Sequence, residues 1–431
     1  MSSGETAENE RARVRVQSID RDVLVLSFGM FAFSLGFQMT NRYAPEYMAV
    51  LGAGSIAIGA FGTLGNVLGA MYPYPGGVIS NRIGARRALT VFGLLSTGGF
   101  LLWFFAPYLG SVQVGPLGLP GWVWVLVGLC FAQAWRSLAR GPIFAVVKEG
   151  MGLSSLASGF ALAETFRRLA FLAGPLLVAV ILALTTEFTT GFQLVLLLAV
   201  GIGLVGTGIQ HMQYQPANET FGTADFSVQQ FLADVRSLPP TVRPLLISDT
   251  LVRFANGMVY VFFVIVVTRV LNVDATILGI YLGSEVFFGV LLAIEMAVAL
   301  LVMYPAARLA ERIGLKWLIA AGFSVYAIFP ILLITAPDNA GVVALIFAFS
   351  GLRYAGYPAH QALIVGPAVE GVGDRVTGTY YTLRSTIVIP STLISGVVFS
   401  VSPQLAFGIA TVIGLLGTGY FLAFGTGLDA K

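Results

Sequence analysis

The sequence predicts an all-α integral membrane protein of twelve transmembrane helices, arranged as two six-helix bundles related by a pseudo-twofold axis. Three observations predict this. The chain is poor in charge, it contains about a dozen apolar runs of membrane-spanning length, and text in its first half recurs in its second.

The composition comes first. Of 431 residues, 57% are apolar and 10% charged, against about 25% charged in an average soluble domain. A water-soluble chain of this size needs a charged surface that these residues cannot supply. The 51 glycines suit helices that must approach closely in lipid. A formal charge of +3 without a basic tract predicts no nucleic-acid partner. The single cysteine, Cys130, excludes an internal disulfide and argues against a Cys-based metal site. The N-terminus is polar from Ser2 to Asp22, so no cleavable signal peptide is expected.

A helix needs about 20 apolar residues to cross a bilayer core. The apolar runs predict spans at 22–45, 51–72, 87–107, 122–146, 155–184, 191–212, 244–270, 276–304, 316–335, 341–366, 377–401 and 404–425. The polar stretch from His211 to Arg243, with its Pro239-Pro240 pair, reads as a cytoplasmic linker. The domains are therefore expected at 1–211 and 244–431, joined by 212–243. Basic residues fall on one side by this count: Arg11, Arg13, Arg15 and Arg21; Arg82, Arg86 and Arg87; Lys148; Arg236 and Arg243; Arg308, Arg312 and Lys316; and Arg375. The opposite side has little beyond Arg42 and Arg269, and carries Glu46, Glu187, Asp274 and Asp338. The positive-inside rule then puts both termini and the linker in the cytoplasm, in a multi-pass protein of the cell membrane.

The repeat is visible in the text. Tyr74-Pro75, Arg82-Ile83-Gly84 and Arg86 match Tyr304-Pro305, Arg312-Ile313-Gly314 and Lys316 at a constant offset of 230. Arg136 and Arg353 are 217 apart, as are Arg167 and Arg384. A longer loop around Pro107–Gly121 than around Ala336–Gly341 accounts for the change of offset.

With six plus six spans, a long central linker and twin inner connectors, the chain resembles the major facilitator superfamily of secondary transporters. That family's connector signature reads G-x-x-x-D-R-x-G-R-R. Gly77, Arg82, Gly84, Arg86 and Arg87 match it, while Asn81 stands for the acid and Ala85 for an arginine. The second copy supplies Glu311, Arg312, Gly314 and Lys316, with Ala307 for the first glycine. Arg140-Gly141-Pro142 and Gly174-Pro175 resemble drug-exporter-like members, although Arg168 stands where their span 5 has a glycine. The resemblance implies alternating access around a central cavity, lined by spans that include 4 and 10.

The connector residues Gly77, Asn81, Arg82, Gly84, Arg86, Arg87, Glu311, Arg312 and Gly314 are candidates for gating at the inner face. Setting topology alone is the plainer reading. Asn81 can cap a neighbouring helix as an acid would, without the charge–dipole contribution of about 0.3–1 kcal/mol.

Charges deep in spans cost about 2.5–3.5 kcal/mol each on insertion scales, so each is a functional candidate. Arg136 and Arg353 fall on spans 4 and 10 and are the substrate-binding candidates, because paired guanidiniums suit an anionic group. Pairing with a carboxylate or carbonyl is the alternative for both. Glu164, Arg167 and Arg168 share one helical face on span 5, and Asp249 and Arg253 are four apart on span 7. These five, with Arg384, are candidates for structural ion pairs.

Glu285 and Glu295 on span 8 have no basic residue near them in sequence, and Glu285 is expected near the midplane. An unpaired carboxyl in low dielectric can load and release protons near neutral pH, which makes both candidates for proton coupling. A bond to a distant arginine such as Arg353 or Arg384 is the rival reading. His360 reads as a hydrogen-bonded filler more than as a switch.

No phosphate loop, metal cluster or nucleophile arrangement stands in the sequence, so neither an enzyme, a cofactor nor a metal is expected. The sequence supports a monomeric secondary transporter working by alternating access in the lipid bilayer, with a small-molecule substrate and protons as partners. Proton-coupled export (efflux) of a small amphipathic or anionic compound is the first expectation. Uptake of an organic anion is the second, and a membrane receptor or lipid scramblase is the rival from another class.

Overall fold

The computed structural model describes residues 25–110, 113–114, 117–139, 156–214, 233, 235–236, 242–357, 359–360 and 373–425. Within those ranges, the side chains of 113–114, 117, 156–166, 307, 310–311, 313 and 373–377 are not described. The N-terminal arginines, Lys148 and most of the 212–243 linker lie outside the described residues.

The described chain is almost wholly helical. It runs through α1 (25–41), α2 (Ala44–Val50), α3 (Ser55–Met71), α4 (Pro73–Ile83), α5 (Ala85–Leu109), α6 (Gly121–Ala132), α7 (Ala134–Leu138), α8 (Leu156–Ala183) and α9 (Phe188–Gln213). The second half holds α10 (Arg243–Val259), α11 (Ser284–Ile313), α12 (Leu315–Ile334), α13 (Ala340–Gly351), α14 (Gly373–Val388), α15 (Ser391–Val401) and α16 (Pro403–Phe424). Among the described residues, seven helices are long and apolar enough to cross a membrane. The pair α3–α4, bent by 46° where Pro73 enters, makes an eighth if it is one span. Spans 4 and 10 are represented by the shorter apolar helices α6 and α13, each of 12 residues.

The repeat reappears as geometry. Gly84 separates α4 from α5 with φ 84° and ψ 147°, and Gly314 separates α11 from α12 with φ 90° and ψ 152°. Both are conformations that a side chain resists, so Arg-Ile-Gly followed by a new helix is one turn built twice. Spans 4 and 10 also break alike. After α6 the chain turns at Gln133 and enters α7 with Arg136, and after α13 it enters a 3₁₀ turn, Leu352–Gly356, with Arg353.

The chain forms two compact units. Unit 1 comprises Met1–Asn41, Met71–Gly174 and Phe192–Thr223; unit 2 comprises Arg42–Ala70, Pro175–Gly191 and Ala224–Lys431. The division departs from the sequence halves at 42–70 and 175–191, which pack with the second half.

Within unit 1, small residues let helices approach closely. A Cβ added at Gly99 would run into the Ala132 backbone, and one at Gly128 into the Trp103 ring. Trp103 satisfies its indole N–H on the Val125 carbonyl at 2.8 Å, and Ser96 donates to the Ala132 carbonyl at 2.7 Å. The core includes Phe33, Leu89, Phe92 and Trp135, with Phe33 stacked on Trp135 at 4.5 Å.

Within unit 2, Gly59 on α3 and Gly396 on α15 meet backbone to backbone. Glu46 on α2 receives Arg269 at 2.7 Å and the Thr268 hydroxyl at 2.8 Å. Both partners stand on a π-helical turn, Val266–Val270, at the end of span 7, a geometry that re-aims successive side chains. The core around the buried charges includes Leu245, Val252, Leu318, Phe323, Tyr380 and Phe421.

Span 8 starts later than the apolar run suggests. Residues Ala275–Ile277 and Ile280–Leu282 form an antiparallel hairpin, and α11 begins at Ser284. Leu278 and Gly279 at the hairpin tip both have positive φ, which an α-helix does not accommodate.

Candidate functional site

Several of the buried charges of unit 2 gather around α10. Asp249, fully buried on α10, is the centre. Its Oδ2 accepts from Arg384 Nη1 at 2.9 Å and from the Tyr380 hydroxyl at 2.9 Å, both on α14. The same oxygen lies 3.3 Å from His360 Nε2, and Oδ1 accepts from Arg253 Nε at 3.3 Å. Arg253 follows Asp249 by one helical turn, and Tyr380 precedes Arg384 by one, so two i,i+4 pairs face each other. A carboxylate this buried is tolerable only because its lone pairs are all used.

His360 takes its tautomer from this arrangement. Nε2 faces two oxygens, Asp249 Oδ2 and the Tyr380 hydroxyl at 3.4 Å, and the tyrosine already gives its proton to Asp249. Nε2 therefore carries a hydrogen, and Nδ1 is buried without a hydrogen-bond partner among the described residues.

A second ion pair lies beside the first cluster. Arg353 on the 3₁₀ turn donates to Glu295 Oε1 on α11, and both side chains are 2% exposed. Ser350 donates to the same oxygen at 3.3 Å. The Nε of Arg353 is buried and has no hydrogen-bond partner among the described residues.

The two groups border one pocket, whose wall includes Arg253, Arg353 and His360 together with aromatic side chains. Tyr326 from α12 holds the guanidiniums of both Arg253 and Arg353 within 5.2 Å of its ring centroid, and its hydroxyl receives Arg253 Nη1 at 3.3 Å. Tyr354 lies 5.1 Å from Arg353. Across the two groups, three guanidiniums, Arg253, Arg353 and Arg384, stand against two carboxylates, Asp249 and Glu295.

These positions resolve the sequence candidates as follows. Asp249, Arg253 and Arg384 are joined in one ion-pair network. Glu295 and Arg353, first assigned to separate roles from sequence, are partners, as the rival reading of each had it. Glu285 corrects an expectation: it occupies the first turn of α11 and is not at the midplane, because the hairpin takes up the residues counted as the start of the span. There it accepts from the Ser284 hydroxyl at 3.3 Å, while its carbonyl accepts from Tyr43 at 3.0 Å. In the same hairpin Asp274 accepts from the Tyr281 hydroxyl at 2.7 Å, which raises that phenol above its ordinary pKa.

In unit 1, Arg136 is exposed on α7, with its guanidinium 4.0 Å above the Phe37 ring. Arg167 stands 5.1 Å over Phe171, one turn further along α8. The side chains of Glu164 and Glu311 lie outside those described. Of the connector residues, Asn81, Arg82, Arg87 and Arg312 are exposed, while Gly84 and Gly314 are buried and Gly77 is partly so. Arg86 reaches the His211 carbonyl at the end of α9, at 2.6 Å. Tyr380, Tyr326 and Tyr354 were not singled out from sequence. The four-residue step from Tyr380 to Arg384 was the one available signal.

No protein-family model matches the chain. In sequence it is similar to an uncharacterised MFS-type transporter of Methanocaldococcus jannaschii, with 22% identity over 97% of this chain and 96% of that one. An uncharacterised MFS-type transporter of Mycobacterium tuberculosis is 28% identical over 41% of this chain and 39% of its own length. Among solved structures, the peptide transporter POT in complex with sulfate superposes with a TM-score of 0.69 at 13% identity, covering 95% of this chain and 96% of that chain. The nucleoside transporter NupG does so with a TM-score of 0.69 at 13% identity, over 95% and 99%. The chain thus has the fold of the major facilitator superfamily and resembles the transporters of that superfamily over nearly its whole length.

Proposed function

We propose that this chain is a proton-coupled secondary transporter of a small organic anion, working by alternating access in the cell membrane with both termini in the cytoplasm. The two sequence halves are the rocking bundles, and the twin Arg-Ile-Gly turns are the inner hinges. The arginine distribution supports the orientation.

One observation carries the coupling: Arg353, bonded to buried Glu295, lines a pocket together with Arg253. An anion entering that pocket competes with Glu295 for the guanidinium. A carboxylate that loses its cation in low dielectric takes up a proton, since an unpaired buried charge is far costlier than a neutral acid. Anion and proton therefore bind together. That linkage is symport, so among the two directions considered from sequence the geometry favours uptake over export.

The test is uptake into proteoliposomes under an inward proton gradient, with succinate, lactate and benzoate as probes. Arg353→Ala vesicles control for leakage of the neutral acids. Acid-driven uptake above that control, lost in Glu295→Gln when the gradient is the only driving force, is the expected result. Uptake equal to the control for every probe would sink the proposal.

A further inference from the structure

The wall of this pocket is aromatic where a site for a simple anion has no need to be. Phe323 and Tyr326 come from α12, and Tyr354 and Tyr357 from the 3₁₀ turn and the residue after it. Between them the two elements touch through glycine: a Cβ at Gly356 would lie 2.9 Å from the Leu318 carbonyl, and one at Gly322 would lie 3.1 Å from the Arg353 carbonyl. Bare backbone therefore leaves rings as the principal side-chain surface beside the arginines. Their guanidiniums lie over ring faces, Arg353 at 5.1 Å from both Tyr326 and Tyr354, and Arg253 at 5.2 Å from Tyr326.

We infer that the pocket selects aromatic carboxylates, the carboxylate on Arg353 and the ring among Phe323, Tyr326, Tyr354 and Tyr357. This rests on the anion-transport reading above and narrows it to a substrate class. Two features converge. The Nε–H of Arg353, without a hydrogen-bond partner among the described residues, asks for one more acceptor. A guanidinium bound to a carboxylate can still stack a planar ring against its neighbours. A puckered aliphatic ring of equal charge and similar apolar area gains the burial but loses the edge-to-face and stacked contacts.

Binding to purified full-length protein in detergent tests this, with benzoate, cyclohexanecarboxylate and acetate as probes, read by calorimetry at pH 6. Benzoate is expected to bind roughly three- to tenfold more tightly than cyclohexanecarboxylate, the range that aromatic pair contacts supply. Acetate should be the weakest. Tyr326→Phe keeps the ring and should keep that ratio, whereas Tyr326→Leu should bring it near one. Equal affinity for benzoate and cyclohexanecarboxylate in the wild-type chain overturns the aromatic inference and leaves anion transport standing. No binding of any of the three anions, or binding unchanged in Arg353→Gln, overturns both.

Discussion

Arg353 and Glu295 bond to each other across 58 positions of sequence, from a 3₁₀ turn to the middle of α11, with both side chains almost completely buried. Each was a puzzle alone: an arginine deep in span 10 and a carboxylate in span 8 with no basic neighbour in sequence. Paired, they explain each other's tolerance, and Arg353 Nε keeps no hydrogen-bond partner among the described residues.

The pair makes unequal predictions for its two members. Arg353→Ala strands a buried carboxylate and is expected to destabilise the protein by about 3–5 kcal/mol at neutral pH. Glu295→Gln keeps a group for Arg353 and Ser350 to contact and should lower stability less. Replacing both with leucine should recover much of the loss, because an apolar pair of similar volume avoids desolvating charge. Melting curves of the three variants decide it. A double variant no more stable than Arg353→Ala would show that the pair is not an isolated unit.

Asp249 is a stronger structural node. Asp249→Asn removes charge facing Arg253, Arg384 and His360 together, and an amide cannot accept from all of them and Tyr380. A loss of about 3–5 kcal/mol is expected, larger than for Arg384→Gln, which leaves Asp249 with its other partners. Thermal melts at one pH compare the two. Equal losses would mean that Arg384 carries the whole network.

How much of this was legible beforehand follows from the range of each interaction. Apolar runs and Arg-Ile-Gly turns are local, so the spans, the repeat and the Asp249–Arg253 pair stood in the sequence. Pairs such as Glu46–Arg269 and Glu295–Arg353 join different helices, and no spacing rule reaches across them. Glu285 was misplaced for a local reason. Ala275–Leu282 is apolar enough to read as helix, but a hairpin with two residues at positive φ ends that reading. The aromatic wall was invisible because tyrosines and phenylalanines in apolar spans look alike whether they face lipid, core or pocket.

The repeated turns predict matched sensitivity. Gly84 and Gly314 sit at φ 84° and 90° with ψ near 150°, a region essentially reserved for glycine. Gly84→Ala and Gly314→Ala should each lower stability by about 1–3 kcal/mol. Gly77→Ala, at a helical position where an added Cβ meets nothing within 4 Å, should be close to neutral. Chemical denaturation of the three variants would separate these outcomes, and a neutral Gly314→Ala would remove the case for a shared turn.

Arg136 supplies the last prediction, because it shares a repeat position with Arg353 but has a different environment. Its guanidinium lies 4.0 Å above Phe37 and the residue is exposed within a chain that spans a membrane. A guanidinium stacked on a ring has the planar fork that matches a carboxylate. Arg136→Lys preserves the charge but not the fork or the stacking, so it should weaken anion binding while leaving melting temperature nearly unchanged. Arg136→Ala should do the same more strongly, with a stability change well below that of Arg353→Ala, since an exposed guanidinium has far less desolvation to offset. Calorimetric titration with benzoate and melting curves on both variants measure the two quantities side by side. Binding that survives Arg136→Ala intact while stability falls would make Arg136 a structural residue and leave recognition to the pocket around Arg353 alone.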